Sequence, residues 1–266
     1  MKLAFIGGGN MAEAILQGVL SSELFAAKNI TITDISAERL QYLQKKYQVQ
    51  TNLNNLQALR NAEVVLLAVK PQAVDSVLEE INAVQNTNQL LISIVAGLSL
   101  SKLDFKGQFR AVRVMPNTPA LIGQAASAFC CNARVTKEDK AFVLDLLQSI
   151  GLAVETEEKD INAVTGLSGS GPAFVFRLMD YFIKAGIQLG LSAEQARELT
   201  YQTFAGSAQL AKQSDKTLEE LIAQVTSPNG TTQAGREVLE RSAAAQIIAD
   251  TIIRAKKRAD ELQEGK

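Results

Sequence analysis

The fold is decided by the stretch Leu3-Ala-Phe-Ile-Gly-Gly-Gly-Asn-Met-Ala-Glu-Ala14, in which a short apolar run passes through three glycines into a helical pattern. Gly7 can take a tight turn, Gly9 has no side chain to block a pyrophosphate, and Ala12 is small enough for the helix to pack on the strand. A helix that begins near Asn10 directs its positive end at a bound anion. The stretch therefore predicts a dinucleotide site, with a strand–helix turn that binds no ligand as the alternative.

The composition is typical of a soluble enzyme and narrows its chemistry. The chain of 266 residues is 47% hydrophobic and has a formal net charge of −1, which gives no electrostatic reason to expect nucleic acid or a membrane surface as a partner. It contains no histidine, so an imidazole base and histidine ligands to a metal are excluded, and we expect no metal site. The reaction must use hydroxyls, amides, carboxylates, lysine and a cofactor.

Two features of the sequence indicate the cellular compartment. They are the two cysteines and the lack of apolar runs long enough to span a membrane. Cys130 and Cys131 are adjacent, and the N-terminus enters a strand without a targeting segment. We interpret the pair as free thiols on alternating faces of a strand, with a vicinal redox pair as the alternative. We therefore expect a cytoplasmic protein.

The strand and helix patterns divide the chain near Glu158. Before that residue, apolar runs alternate with helical stretches, which predicts an α/β fold with a Rossmann-like, mostly parallel sheet covered by helices on both faces. The predicted strands are Leu3–Ile6, Ile30–Thr33, Val64–Val69, Leu90–Val95, Ala111–Val114, Ser127–Cys131 and Leu152–Glu155. We predict a dinucleotide-binding domain over residues 1–158 and an all-α dimerisation and substrate domain over residues 159–266.

The second predicted domain has only helical patterns. Ala173–Leu189 and Ser242–Leu262 have the spacing of long helices, and two further helices begin with capping boxes at Ser192 and Thr217. This part of the chain is rich in alanine and leucine, so its apolar helix faces need cover. We therefore expect them to be buried against a second subunit in a homodimer.

The carboxyl ends of the predicted strands carry further cofactor candidates, since ligands of open parallel sheets bind there. Asp34 follows the second strand, where an acidic side chain accepts hydrogen bonds from the adenosine ribose and repels a 2′-phosphate, so it favours NAD. Arg39 either tempers that preference or lies on a helix surface. Lys70 is placed to touch cofactor or substrate, and Ala96 allows close approach of a flat ring. Asn55 is interpreted as a ribose or adenine contact in a loop, or as a helix cap.

Two later stretches combine glycine with hydroxyl side chains ahead of a helical pattern. Thr165-Gly-Leu-Ser-Gly-Ser-Gly-Pro-Ala-Phe174 is interpreted as a loop that opens a helix, with Pro172 at a permitted position of the first turn. Val225-Thr-Ser-Pro-Asn-Gly-Thr-Thr-Gln-Ala-Gly235 is a second polar loop, and Gly230–Thr232 offer N–H groups and hydroxyls at the positive end of the next helix. That set suits a carboxylate. The alternative is two well-capped helices without a ligand.

Five motifs in the same order resemble the pyrroline-5-carboxylate reductases. They are Gly7-Gly-Gly-Asn-Met-Ala12, Ala68-Val-Lys-Pro71, Arg113-Val-Met-Pro-Asn-Thr-Pro119, Gly166-Leu-Ser-Gly-Ser-Gly-Pro-Ala173 and Thr226-Ser-Pro-Asn-Gly-Thr-Thr232. The resemblance spans nearly the whole chain and implies reduction of 1-pyrroline-5-carboxylate to L-proline by NADPH or NADH, the last step of proline biosynthesis. It also implies an obligate homodimer with intertwined helical domains, and larger rings of dimers in some members.

The resemblance also implies roles for individual residues. The implied cofactor contacts are Gly7, Gly8, Gly9, Asn10, Met11 and Ala12 for the pyrophosphate, Asn55 for the adenosine half, and Ala68, Val69, Lys70, Pro71 and Ala96 for the nicotinamide half. The implied substrate contacts are Glu158, Ser168, Gly169, Ser170, Gln224, Gly230, Thr231 and Thr232. Thr232 is the expected hydrogen-bond partner of the substrate ring nitrogen. The sequence departs from the family at Asp34-Ile35, where members often have Asn-Arg or Ser and favour NADPH, and at Asn229, which replaces a frequent glycine.

Two other functions share parts of this pattern. The β-hydroxyacid dehydrogenases have the same architecture and a loop whose glycines match Gly166, Gly169 and Gly171, but Val175 stands where they have a catalytic lysine. A dinucleotide-sensing protein would keep the glycine turn without needing Gly230–Thr232. A protonated cyclic imine is already an electrophile, so hydride transfer to it needs mainly orientation, worth up to about 7–11 kcal/mol, and no histidine.

Overall fold

Eight strands form one sheet in the computed structural model of the chain, which describes residues 1–84, 88–105 and 107–264. The strands are β1 (Leu3–Ile6), β2 (Ile30–Thr33), β3 (Gln50–Asn52), β4 (Val64–Leu67), β5 (Leu90–Ser93), β6 (Arg110–Met115), β7 (Ala125–Cys131) and β8 (Gly151–Glu155). Their order is β3-β2-β1-β4-β5-β6-β7-β8, and every neighbouring pair is parallel except β6 with β7. The predicted Rossmann-like, mostly parallel sheet is confirmed.

The strands differ from the prediction by one additional strand and by several bounds, since β6, β7 and β8 begin one or two residues before the predicted starts and β6 ends one residue later. The sequence does not predict β3, because Gln50–Asn52 is a polar edge strand that needs no apolar run. β4 and β5 end at Leu67 and Ser93, short of the predicted ends, because the backbone turns away from the sheet. It enters a short helix at Pro71–Ala73 after β4 and a left-handed turn at Gly97 after β5.

The register of the sheet aligns the ends of its central strands. Ile6 pairs with Thr33 on one side and with Leu67 on the other, and Leu67 pairs with Ser93. The strand order reverses between β1 and β4, and ligands of open α/β sheets bind at such a switch point, beyond the carboxyl ends of the strands. The turns that follow these four residues therefore surround the expected cofactor crevice.

Helices cover both faces of the sheet. The helices of the described residues are α1 (Asn10–Ser21), α2 (Ala37–Tyr47), α3 (Asn55–Asn61), α4 (Val74–Val84), α5 (Leu100–Leu103), α6 (Lys137–Gln148), α7 (Ile161–Val164), α8 (Gly171–Gln188), α9 (Ala193–Gln213), α10 (Leu218–Gln224), α11 (Thr231–Arg241) and α12 (Ala244–Gln263). Leu3 and Phe5 of β1 pack in one apolar cluster with α1, α2 and α6, whereas Ala4 and Ile6 pack in another with α3 and α4. Strands buried on both faces need apolar side chains at every position, which explains their continuous apolar runs.

The chain divides into two compact units. The sheet unit comprises Met1–Ser170 together with the chain from Ile253 onward, and the helical unit is Gly171–Ile252. The last helix, α12, therefore begins in the helical unit and ends in the sheet unit. The predicted domain boundary between residues 158 and 159 stays a prediction.

The helical unit consists of well-capped helices whose apolar side chains are poorly covered. The capping boxes predicted at Ser192 and Thr217 are both present. Phe176, Leu189 and Val238 are 61%, 85% and 73% exposed. Over the described ranges of the chain, no helix combines the length and apolar character needed to cross a membrane.

The adjacent cysteines lie at the end of β7 as free thiols. Cys130 is buried and Cys131 is half-buried. Burial raises the pKa of Cys130 to about 12 and that of Cys131 to about 11, so both thiols stay protonated at neutral pH. The interpretation as free thiols on alternating faces of a strand is confirmed.

Candidate cofactor and substrate sites

Backbone contacts on both sides hold the glycine turn that follows β1. The Gly7 N–H donates to the Thr33 carbonyl over 2.9 Å, and the Ala68 N–H donates to the Ile6 carbonyl over 2.8 Å. Gly7 has a φ of +101°, and a β-carbon at this position would lie 2.7 Å from the Ala68 carbonyl oxygen. Only glycine fits here, because any side chain would meet the backbone after β4.

Gly9 and the start of α1 form the open part of this turn. A β-carbon built on Gly9 has no neighbour within 4 Å. Gly9 is the N-cap of α1, no side chain caps the helix there, and Asn10–Ala12 present the N–H groups of its first turn. A pyrophosphate requires this combination of close backbone approach and N–H donors. The residues present therefore fit a dinucleotide.

Asp34 lies directly after β2 and holds the glycine turn by a hydrogen bond. Its Oδ2 accepts a hydrogen bond from the Gly8 N–H over 2.8 Å, and its Oδ1 accepts one from the Ser36 N–H over 2.9 Å. An ionised carboxylate has about four acceptor positions, so Asp34 can still accept a hydrogen bond from a ribose hydroxyl. The side chain predicted as a cofactor contact thus also orients the backbone of the cofactor turn.

A charged network borders the glycine turn at Glu13, in the first turn of α1. The donors to its carboxylate are Arg39 at 2.5 Å, Tyr42 at 3.1 Å, Lys46 at 3.0 Å and Tyr47 at 2.8 Å. Burial raises the pKa of Glu13, but these four hydrogen bonds together lower it to about 2. The Nε of Arg39 also donates to the Gly8 carbonyl over 2.6 Å. Arg39 of α2 therefore contacts the glycine turn, and its effect on the cofactor preference stays a prediction.

A cavity of about 190 Å³ lies beside the turns that follow β4 and β5. Its lining includes Pro71, Ala96, Gly97 and Leu262. Gly97 has a φ of +79°, and a β-carbon there would lie 3.3 Å from the main-chain carbonyl carbon of Leu262. The nicotinamide contacts predicted at Ala68–Pro71 and Ala96 thus follow adjacent strands, and the end of α12 packs against the same edge.

Asn55 lies in a helix, so the expectation of a loop at this position is wrong. It is the first residue of α3, and its Nδ2 donates to Glu80 Oε2 on α4 over 2.7 Å. A helix forms here instead of a loop because Asn54, shortly after β3, is its N-cap. The Asn54 side chain accepts a hydrogen bond from the Leu56 N–H over 2.9 Å. The role of Asn55 as an adenosine contact stays a prediction.

Glu158 is engaged with a buried arginine of β6. Its Oε1 accepts a hydrogen bond from the Leu100 N–H over 2.7 Å and lies 3.7 Å from the Arg113 guanidinium. Arg113 is 1% exposed and donates to Asn162 Oδ1 over 2.7 Å and to Gln263 Oε1 over 2.9 Å. Burial lowers the pKa of Arg113. Glu158 thus helps to balance a buried charge, and its role as a substrate contact stays a prediction.

Ser168–Ser170 lie in and just after a helical turn, so the predicted loop is corrected here. The chain passes from α7 through a π-helical turn at Thr165–Gly169, and α8 begins at Gly171. The polar sequence suggests a loop, but the Ser170 N–H donates to the Thr165 carbonyl over 2.8 Å and keeps the segment helical. The Ser168 carbonyl accepts a hydrogen bond from Asn117 Nδ2 over 3.1 Å. Such turns occur frequently at functional sites.

The polar loop of the helical unit leads into an uncapped helix. Gly230 is the N-cap of α11, without a side-chain cap, and the exposed residues Thr231 and Thr232 begin the helix. Asn229 has a φ of +58°, and its N–H donates to Gln233 Oε1 over 2.8 Å. Asparagine tolerates this left-handed conformation, so its presence in place of glycine preserves the loop. The start of α11 thus has free N–H groups of the kind that bind anions, and its role as a carboxylate site stays a prediction.

Comparisons with known proteins agree on one family. The family model described as pyrroline-5-carboxylate reductase dimerisation matches residues 158–262, and the model described as NADP oxidoreductase coenzyme F420-dependent matches residues 2–97. A curated pyrroline-5-carboxylate reductase from Synechocystis sp. is 38% identical, over 98% of this chain and 98% of its own length. The chain belongs to the pyrroline-5-carboxylate reductase family.

Two solved structures of the family share the fold of this chain over at least 98% of its length. A pyrroline-5-carboxylate reductase from Coxiella burnetii has a TM-score of 0.92 at 35% identity, with 98% of both chains covered. The Plasmodium falciparum pyrroline carboxylate reductase, solved with NADP bound, has a TM-score of 0.88 at 31% identity, with 99% of this chain and 98% of that chain covered. The resemblance inferred from the five motifs is confirmed.

The structure of this reductase family member also reveals polar residues that sequence reasoning missed. Arg113 has apolar neighbours on both sides within β6, and a cation so placed in a strand is the pattern of a buried charge with partners elsewhere in the chain. Glu13 carries no comparable pattern, because its four donors all come from α2, which is distant in the sequence. Gln224 ends α10 as an exposed residue, and its substrate role, like those of Ser168–Ser170 and Gly230–Thr232, stays a prediction.

Proposed function

We propose that this chain reduces 1-pyrroline-5-carboxylate to L-proline with a reduced nicotinamide dinucleotide, the last step of proline biosynthesis. The observation that carries the proposal is the uncapped start of α11 at Gly230–Thr232, in a chain whose glycine turn is open at Gly9. The first feature suits a small carboxylate and the second suits a pyrophosphate. Membership of the pyrroline-5-carboxylate reductase family supports the combination.

Each unit has its own part in the proposed reaction. The reduced nicotinamide supplies the hydride, and Gly7–Ala12, Ala68–Pro71 and Ala96 of the sheet unit bind and orient the cofactor. The N–H groups of Gly230–Thr232 in the helical unit bind the substrate carboxylate, and the Thr232 hydroxyl orients the ring nitrogen. Because that nitrogen is already protonated, these residues act mainly by orientation, worth up to about 7–11 kcal/mol, and no strong general acid is needed.

The direct test is turnover of 1-pyrroline-5-carboxylate by the purified protein. We expect the absorbance of NADH or NADPH to fall only when substrate and protein are both present, and amino-acid analysis to detect proline in the same samples. A dinucleotide-sensing protein would bind the cofactor without consuming it. Failure to oxidise either cofactor under these conditions would refute the proposal.

Substitution of Thr232 tests the proposed substrate contact. Thr232→Val keeps the shape of the side chain but removes its hydroxyl, and we expect kcat/KM for the imine to fall by about 10- to 100-fold because the ring nitrogen loses a hydrogen bond. Thr203→Val is the matched control, since the Thr203 hydroxyl donates to the Leu199 carbonyl within α9. Equal activities of the two variants would remove Thr232 from the proposed site.

The cofactor preference depends on Asp34, and we propose that NADH is at least competitive with NADPH. Asp34→Asn keeps the size of the side chain but removes the charge that repels a 2′-phosphate. We expect the ratio of kcat/KM for NADPH to that for NADH to rise by about tenfold, which corresponds to about 1.4 kcal/mol. A large NADPH preference of the unmodified protein that Asp34→Ala leaves unchanged would contradict this assignment.

The helical unit is proposed to form a homodimer. Large apolar side chains such as Phe176, Leu189 and Val238 stay exposed in the single chain, and contiguous apolar surface marks an interaction site. The dimerisation family model covers this part of the chain. Light scattering of the purified protein is expected to give twice the chain mass of 28.7 kDa, or a multiple of that dimer if rings form. A monomer at micromolar concentration would contradict the proposal.

A further inference from the structure

The Glu13 cluster is a group of five side chains between α1 and α2, at the edge of the glycine turn. Its members are Glu13, Arg39, Tyr42, Lys46 and Tyr47. The Glu13 carboxylate, whose side chain is 13% exposed, forms ion pairs with Arg39 and with Lys46. Its low pKa keeps Glu13 ionised at any working pH, so the two cations are held by a permanent negative charge.

Gly8 connects the cluster to the end of β2, where Asp34 lies. The Gly8 N–H donates to Asp34, and the Gly8 carbonyl accepts from the Nε of Arg39. The Arg39 guanidinium and the Asp34 carboxylate therefore both contact the backbone of one residue. In this type of fold, the acidic residue at this strand end faces the 2′-hydroxyl of the adenosine ribose. Arg39 is the cation of the cluster that contacts the same residue as Asp34, which makes it the candidate partner of a group attached to that hydroxyl.

We propose that Glu13 determines how well this site accepts a 2′-phosphate, because it withholds Arg39 and Lys46 from that phosphate. The inference rests on the proposed binding of a nicotinamide dinucleotide at the glycine turn. It assigns Glu13 a role in cofactor specificity, although its side chain touches the cations and not the ribose itself.

The charges of the region explain this role. Two carboxylates, Glu13 and Asp34, balance the two cations Arg39 and Lys46, so these four residues offer a 2′-phosphate no excess positive charge. A phosphate brings a charge of about −1.5 to −2 and must compete with Glu13 for the guanidinium. Arg39 uses its Nε on Gly8 and one terminal nitrogen on Glu13, so a phosphate meets a guanidinium whose charge and two of whose nitrogens are already engaged. Removal of the Glu13 charge would leave both cations for the ligand.

The experiment compares the binding of 2′,5′-ADP with that of 5′-ADP by isothermal titration calorimetry on the full chain. The two probes share the adenosine and the 5′-diphosphate and differ in the 2′-phosphate, so any general effect at the turn cancels in their affinity ratio. We expect Glu13→Gln to raise the ratio by about tenfold in favour of 2′,5′-ADP. Glu38→Gln is the matched control, because it removes the same charge from the exposed first turn of α2 beside Arg39.

The Arg39→Ala variant provides a second test, which does not depend on the stability of the Glu13→Gln variant. Arg39→Ala alone is expected to weaken binding of 2′,5′-ADP by about threefold or more with little change for 5′-ADP, and in the Glu13→Gln background to abolish the gain. An unchanged ratio in Glu13→Gln, or a gain that persists without Arg39, overturns the inference while 5′-ADP still binds. If 5′-ADP does not bind the unmodified chain, the proposed function fails as well.

Discussion

Gly9→Ala is expected to lower the affinity for NADPH and for NADH by about a hundredfold, or roughly 2.7 kcal/mol, without destabilising the protein. The β-carbon of Gly9 meets no atom within 4 Å, and its φ of −66° is one that alanine adopts without strain. The added methyl group would instead occupy the space beside the first N–H groups of α1, which a pyrophosphate must approach closely. The substitution therefore separates the space needed for the cofactor from the packing needed for the fold.

Fluorescence titration with NADPH measures the expected loss of affinity, and thermal unfolding measures whether the stability is unchanged. Gly206→Ala is the control for the added methyl group, since the nearest atom to its β-carbon is the flexible end of Gln202 at 3.9 Å. Gly7→Ala should behave in the opposite way and lower the melting temperature, because its β-carbon would overlap the Ala68 carbonyl. Wild-type affinity in Gly9→Ala would mean that the cofactor does not approach this turn.

The glycine turn and the central strands could be predicted from the sequence because local rules determine them. The strands of a sheet covered on both faces must be apolar at every position, and β1 reads directly as such a run. Only glycine satisfies the positive φ of Gly7. Capping boxes at Ser192 and Thr217 are equally local, since each is closed within one helical turn. Such features depend on neighbours in the sequence.

The features that could not be predicted depend on contacts between distant segments or on polar sequence with no strong preference. β3 is polar, and it is a strand because Thr31–Thr33 offers a sheet edge beside it. The segment at Thr165–Gly169 has the composition of a loop but is helical, packed with Gly169 against Met115. The hydrogen-bond partners of Arg113 lie on α7 and α12, and no pattern in the neighbouring sequence predicts which residues they are.

The largest expected loss of stability follows from replacing Arg113. This arginine is almost fully buried, and its hydrogen bonds join β6 to Asn162 of α7 and to Gln263 at the end of α12. Arg113→Ala would leave a cavity and remove the donor to Asn162 Oδ1 and one of the two donors to Gln263 Oε1, while Glu158 would lose its nearby counter-charge. Truncation of a large buried side chain to alanine costs about 2–5 kcal/mol, so we expect a loss of this size in the free energy of unfolding.

Chemical denaturation of three variants distinguishes the buried network from an ordinary surface pair. Arg110→Ala, on the same strand, breaks a partly exposed pair with Asp139 and should cost about 1 kcal/mol or less. Arg113→Met should cost less than Arg113→Ala, because methionine refills much of the volume although Asn162 still loses its donor. Hydrogen exchange should rise selectively at the end of α12, near Leu262, where the network and Gly97 hold the helix against the sheet unit. If Arg113→Ala costs no more than Arg110→Ala, the buried arginine stabilises the protein no more than a partly exposed pair does, and this prediction is wrong.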